Sequence, residues 1–196
     1  MGTGKQHGPR AIFLDRDGVI NHNIFNPATR CYESPLTEDD FHLVAGVLPA
    51  LRDLHAAGYL LILVSNQPNY AKGKASLATL NAIHRKLERA LLENDIRFAA
   101  FYYCLHHPQA AIPELRNCVC RKPSPYFLHK AVSDFSLDLR QSWMLGDRPT
   151  DISCGSVAGT KTILIGKYVA SYDEGPLPDR RAPDLAAAAK LILAEA

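Results

Sequence analysis

Ala11-Ile12-Phe13-Leu14-Asp15-Arg16-Asp17-Gly18 sets four apolar residues directly against a pair of carboxylates. A short apolar run that ends abruptly in charge reads as a buried parallel strand. The pattern recurs along the chain: Tyr59–Val64 runs into Ser65-Asn66, Ala99–Tyr103 into Cys104, Trp143–Leu145 into Gly146-Asp147, and Thr162–Ile165 into Gly166. Helices fill the gaps. Val47–Ala57 has Pro49 in its first turn and Gly58 as its stop. Leu77, Leu80, Ile83, Leu87 and Leu91 share one face, so Ser76–Asn94 reads as an amphipathic helix capped by Ser76. Tyr126–Phe135, Asp151–Ala158 and the alanine-rich Asp184–Ala194 complete the set, while Asn21–Asp40, Cys104–Cys120 and Gly166–Pro183 read as loops. Strands alternating with helices predict an α/β fold, a doubly wound parallel sheet. In such sheets ligands bind beyond the C-terminal ends of the strands.

The chain has 196 residues, 47% apolar and 21% charged, enough for one domain with a full core. The expected organisation is a mobile tail over residues 1–10 and a single domain over 11–196, with no separate cap. A formal charge of +2 gives no strong field toward nucleic acid or membrane, and neither is expected as a partner. Met1–Arg10 lacks the apolar stretch of a signal peptide, Gln6 stands where a myristoylation signal wants Ser or Thr, and Gly4-Lys5 lacks the glycine spacing of a P-loop. A cytoplasmic monomer is expected. The count of 5 cysteines is odd, which argues against a disulfide framework.

A D-x-D pair alone is a solvated turn as readily as a site; its position decides. Asp15 and Asp17 follow the first strand, Ser65 and Asn66 the second, and Asp147 and Asp151 the fourth, while Lys122 opens the helix before that fourth strand. All of these fall on one rim. Phosphoryl transfer needs such a set, because a phosphate monoester repels a carboxylate nucleophile. A divalent cation held by carboxylates removes that repulsion. Asp15 and Asp147 suit Mg²⁺, a hard ion that prefers oxygen. Lys122 and Ser65 would bind the equatorial oxygens, Asp15 would attack, and Asp17 would act as general acid and then base. Crowding among the carboxylates is expected to raise the Asp17 pKa for that role.

A second cluster reads Cys104-x-His106, then Cys118-x-Cys120. Three thiolates and one imidazole make a closed tetrahedral set, the mark of a structural Zn²⁺. Its task would be to fold a loop with little core of its own and to aim Arg121 and Lys122. His84 and Trp143 read as ordinary packing residues.

The order FLDRDG, VSNQ, CRKP and GDRPTD resembles the four signature motifs of the haloacid dehalogenase (HAD) superfamily. Asp15–Asn21, with Tyr102–Pro108 and Cys118–Pro123, is most similar to the D-glycero-D-manno-heptose 1,7-bisphosphate 7-phosphatase family. The resemblance implies a HAD-like, Rossmannoid fold and a sugar phosphate substrate cleaved at its C7 phosphate. It implies that the backbone carbonyl of Asp17 joins the Mg²⁺ ligands, that His106 rather than His107 binds zinc, and that Asp151 supports the rim. Ser65, Asn66, Gln67, Arg121 and Lys122 would contact substrate, with Lys72 and Arg121 candidates for a second anion site.

Departures fall around the substrate. Ser65 stands where the family has Thr, Pro68–Lys72 and Tyr126–Phe127 differ from its usual sequence, and the first loop is longer around Asn26–Cys31. Two other readings compete. One is histidinol-phosphate phosphatase, whose last motif resembles Gly146–Asp151; the other is a zinc-bearing scaffold without catalysis, which the filled catalytic positions oppose.

Overall fold

A computed structural model describes residues 8–27, 29–166 and 175–195. Six parallel strands form one sheet: β1 (Ala11–Leu14), β4 (Leu60–Asn66), β5 (Phe98–Cys104), β6 (Trp143–Gly146), β7 (Lys161–Ile165) and β8 (Arg180–Ala182), in the order β5-β4-β1-β6-β7-β8. Five helices flank it: α1 (Val47–Ala56), α2 (Leu77–Leu92), α3 (Tyr126–Phe135), α4 (Pro149–Ala158) and α5 (Leu185–Ala194). A separate two-stranded hairpin joins β2 (Ile24–Asn26) to β3 (Cys31–Glu33). The doubly wound sheet expected from the sequence is present, and no cap domain is found among the described residues. No helix is long and apolar enough to cross a membrane.

The β1 residues explain the layering. Side chains alternate across a strand. Ile12 and Leu14 enter one core with Leu51 and Leu54 of α1, Ile83 and Leu87 of α2, and Ile192 of α5. Ala11 and Phe13 enter the other with Leu128 and Ala131 of α3 and Cys154 of α4. Burial on both faces is why β1 reads as an unbroken apolar run. Ser76 caps α2 as expected, its hydroxyl accepting from the Thr79 N–H.

Register levels the strand tips. Leu14 lies beside Leu63 of β4 and beside Leu145 of β6. The next residues on the three strands, Asp15, Val64 and Gly146, therefore end at one height. The chain leaves β1 toward β4 and β5 and returns to β6 on the other side, which makes β1/β6 the switch point where such sheets bind ligands.

Three expectations need correction. Asn21–Asp40 is not wholly loop: it contains the β2–β3 hairpin, whose three-residue strands are too short to show periodicity. Gly166–Pro183 ends in the edge strand β8, where a charged Arg-Arg-Ala pairs with β7; residues 167–174 lie outside the described residues. Residues 1–7 of the expected tail also lie outside, but the Pro9 carbonyl accepts from Asp138 N–H and Arg10 donates to the Ala57 carbonyl, so these two belong to the fold.

Candidate active site

Asp15 follows β1 without a break in pairing, its N–H donating to the Leu145 carbonyl at 2.9 Å. The turn after it needs Gly18, whose φ of 85° lies in the left-handed region and whose place a Cβ would fill against the Asp147 carboxylate. That close approach brings Asp15, Asp147 and Asp151 together, with one oxygen from each within 4.8 Å of the others. Burial first, then Asp15 and Asp151, push the Asp147 carboxyl up to about 7. Its Oδ2 accepts from Asn23 at 3.2 Å, while its buried Oδ1 accepts no hydrogen bond and has only Arg148 Nε at 3.8 Å. Crowded carboxylates with an orphaned oxygen are the environment a divalent cation relieves, and the all-oxygen donor set suits Mg²⁺.

Lys122 anchors the other side. Its Nζ lies 3.0 Å from Asp15 Oδ1 and 2.7 Å from Asp151 Oδ1, and donates to the Val64 carbonyl at 2.7 Å. Burial opposes its charge, but the two carboxylates outweigh it and hold the ammonium above its ordinary pKa. Asn66, at the end of β4, clamps the Lys122 backbone: its Oδ1 accepts from the Lys122 N–H and its Nδ2 donates to the Lys122 carbonyl. Asp151 supports the rim as expected, accepting from Arg148 N–H at the start of α4 while holding Lys122.

Asp17 departs from expectation. It is not part of the carboxylate crowd. Its carboxylate faces Arg16 at 3.1 Å, accepts from Gln67 at 2.6 Å and accepts from Asn21 at 3.0 Å. Burial works to raise its pKa, but Arg16, Asn21 and Gln67 prevail and hold it below the ordinary carboxylate range. The crowding raises Asp147 instead. Gln67, expected at the substrate, is instead buried behind it, donating to Asp17 and to Ser65 Oγ and accepting from Arg16. Ser65 is buried beside the site with its hydroxyl against Gln67.

Asp15, Asp17, Asn66, Lys122 and Asp151 line a cleft of about 360 Å³ that also takes in Lys72, Arg121, Asn69, Arg148 and, from the hairpin, Tyr32 and Glu33; Asp147, Ser65 and Gln67 lie outside its lining. Burial and the neighbouring Lys74 and Arg121 charges lower the Lys72 pKa, against the opposing pull of Glu33. Arg148 and Lys74 were missed from the sequence, although Arg148 directly follows Asp147 in a motif already singled out. Tyr32 and Glu33 carried no sequence signal, while Asn69 lies in the Pro68–Lys72 stretch already singled out.

The thiol cluster assembles at the end of β5. Cys104 Sγ is 3.7 Å from Cys118 Sγ and 3.8 Å from His106 Nδ1, which is 3.8 Å from Cys120 Sγ. Ligands about 2.3 Å from a central ion, as zinc thiolates are, stand roughly 3.8 Å apart in a tetrahedron. The four residues therefore fit a metal ion. His107 is turned away, accepting from the Gln109 N–H. Arg121 donates to the His106 carbonyl, which ties the cluster to the cleft.

A parallel sheet that collects three carboxylates and a buried lysine at its switch point defines a HAD-type phosphohydrolase. The HAD-hydrolase-like family model matches residues 119–188. The chain is 37% identical to the D-glycero-β-D-manno-heptose-1,7-bisphosphate 7-phosphatase of Salmonella typhi, covering 84% of this chain and 85% of that one. With the enzyme of that name from Escherichia coli (strain K12) it shares 36% identity, over 79% and 78% of the two chains. It also resembles the crystal structure of D,D-heptose 1,7-bisphosphate phosphatase from B. bronchiseptica complexed with magnesium and phosphate, with a TM-score of 0.80, 32% identity and coverage of 95% and 99%. The chain belongs to the D-glycero-D-manno-heptose 1,7-bisphosphate 7-phosphatase family.

Proposed function

We propose that this chain is a Mg²⁺-dependent phosphatase that removes the C7 phosphate of D-glycero-D-manno-heptose 1,7-bisphosphate and leaves the 1-phosphate. The observation that carries it is Lys122, shared between Asp15 and Asp151 beside an Asp147 Oδ1 that accepts no hydrogen bond. Asp15, Asp147 and the Asp17 carbonyl would hold Mg²⁺, which when bound supplies charge neutralisation at the phosphoryl group.

The Asp15 carboxylate attacks phosphorus, the bond from phosphorus to the C7 oxygen breaks, and an aspartyl-phosphate forms. Lys122 and Ser65 stabilise the charge spread over the equatorial oxygens. Asp17 delivers a proton to the leaving oxygen, then takes one from the water that hydrolyses the aspartyl-phosphate. To do so it must exchange its bond to Arg16 for a proton. Asn66 and Gln67 serve by placing Lys122 and Asp17. Arg121 and Lys72 receive the anomeric phosphate, which lets remote binding energy orient the reacting one. Cys104, His106, Cys118 and Cys120 would hold a structural Zn²⁺, which would fix the Arg121-Lys122 segment. Five free cysteines, three of them in this set, fit a reducing cytoplasmic setting.

Phosphate release from heptose 1,7-bisphosphate, heptose 7-phosphate and histidinol phosphate, with and without Mg²⁺, tests the reading. The bisphosphate should give the highest kcat/KM, and only with metal. A higher value for histidinol phosphate would replace the substrate assignment.

A further inference from the structure

Service as the acid asks Asp17 to turn toward the leaving oxygen, and turning strands a buried cation. Arg16 is 1% exposed, and Asp17 is the one carboxylate its guanidinium meets among the described residues. Its Nε and Nη2 both donate to Asp17 Oδ1 at 3.1 Å, and Nη2 also donates to Gln67 Oε1 at 2.9 Å. A buried guanidinium left on Gln67 alone is costly, because buried charge persists only where it is paired and hydrogen-bonded. A second seat within reach would remove that cost.

The Arg16–Asp17 pair separates two cavities. Asp17 lines the active cleft, while Arg16 and Gln67 line a second cavity of about 190 Å³, walled by Leu77 and His84 of α2 and Tyr103 of β5. That is room for a guanidinium, and no step of the reaction uses it. Arg16 Cζ already stands 5.9 Å from the centroid of the Tyr103 ring, within cation–π reach. The chain behind the ring sets the polarity of its hydroxyl. His84 Nε2 lies 3.2 Å from Glu88 Oε2, and His84 Nδ1 lies 3.1 Å from the Tyr103 hydroxyl. An ionised carboxylate only accepts, so Nε2 carries the hydrogen. Burial disfavours the imidazolium, so Nδ1 is bare and accepts from the Tyr103 O–H. The Tyr103 oxygen then keeps its lone pairs to accept from a guanidinium.

We propose that this cavity is the second seat of Arg16: as Asp17 turns to the leaving oxygen, the guanidinium moves off its carboxylate and onto Tyr103. Tyr103 and His84 are thus positioning residues, acting on the acid through Arg16 without touching substrate. The proposal rests on the phosphatase reading above, in which Asp17 is the acid.

The test follows the first turnover by quenched flow at saturating Mg²⁺. Heptose 1,7-bisphosphate and glycerol 3-phosphate release alcohols that need a proton, whereas p-nitrophenolate leaves p-nitrophenyl phosphate without one. Tyr103→Phe should slow alcohol release about tenfold, the effect of one hydrogen bond to a charged group, with KM unchanged and p-nitrophenol release at the wild-type rate. Leu77→Trp, which fills the cavity from a position 41% exposed on α2, should do the same. His84→Ala should repeat the effect and His84→Gln should rescue it, since one amide can donate to Glu88 and accept from Tyr103. Wild-type alcohol release in both Tyr103→Phe and Leu77→Trp overturns the second seat. Equal slowing of both leaving groups marks a structural role and overturns it too. If Tyr103→Phe fails to fold, Leu77→Trp and the His84 pair decide by the same readout. A wild-type enzyme that cleaves glycerol 3-phosphate but not the bisphosphate overturns the sugar assignment alone, and the seat is then judged on glycerol 3-phosphate.

Discussion

Replacing Asp151 with alanine should cost far more than one lost contact, and the cost can be assembled from its partners. Lys122 Nζ is fully buried and shared among Asp151, Asp15 and the Val64 carbonyl. Breaking a buried ion pair so that a charge is left alone costs about 3–5 kcal/mol. Here Asp15 and Val64 remain, which places the loss lower, at about 2–3 kcal/mol. Asp151 also accepts from the Arg148 N–H at the start of α4, a cap worth about 1 kcal/mol. The sum, about 3–4 kcal/mol, is a large share of the roughly 5–15 kcal/mol that holds a domain together. For a chain of this size it corresponds to a Tm lower by about 10 °C. Turnover should fall as well, by about a hundredfold, because Lys122 would settle wholly onto Asp15 and leave the phosphoryl oxygens. Urea and thermal denaturation without added Mg²⁺ read the first effect, and p-nitrophenyl phosphate turnover at saturating Mg²⁺ reads the second. Asp151→Asn, which keeps an acceptor for Lys122, should fall between. An alanine variant with Tm within about 3 °C of wild type and full kcat would refute the reasoning.

Asp15→Asn should abolish turnover with an unchanged circular dichroism spectrum, since an amide neither attacks phosphorus nor ligates Mg²⁺ well; wild-type turnover would remove Asp15 as nucleophile. Asp17→Asn should keep the fold and lose about two to four orders of magnitude in kcat. Purified protein should hold about one zinc per chain, and Cys118→Ser should lose that metal and stability together; metal analysis without zinc in the wild type decides against it. Burial, with help from Arg16 and Arg85, holds the His84 imidazole below its ordinary value of 6.5 despite Glu88. A depressed histidine pKa means the unfolded chain binds the proton first, so stability should fall as pH drops below about 6.5. His84→Gln should flatten that slope between about pH 7 and 5, and equal slopes would contradict it.

The strands were legible because burial on both faces leaves nothing polar in them: Ile12 and Phe13 face opposite cores, and both had to be apolar. Asp15 and Asp147 were legible because each directly follows an apolar strand, and the Cys/His set because of its tight spacing. The hairpin was not, since three-residue strands are held by ladder bonds and one ion pair rather than by a hydrophobic stripe. The orientation of Asp17 was hidden for another reason. Spacing placed it near Asp15, but only the fold brings Gln67 and Asn21 around Arg16 to turn its carboxylate away. Asn69 was illegible because a lone asparagine among Pro, Tyr and Lys reads as a turn.

The place of β1 in the sheet bears on how the protein comes into being at the ribosome. It is the central strand, yet it is made early, and its second edge is closed only by β6 after most of the chain has followed. At roughly 5–20 residues per second that interval is on the order of ten seconds. During it the segment that ends at Asp15 is an apolar strand with an unpaired edge, open to pairing with other nascent chains. The geometry that makes a good switch point in the finished fold thus leaves its central strand exposed longest during synthesis, and slower translation between β5 and β6 should lower the yield of folded protein without altering a native contact.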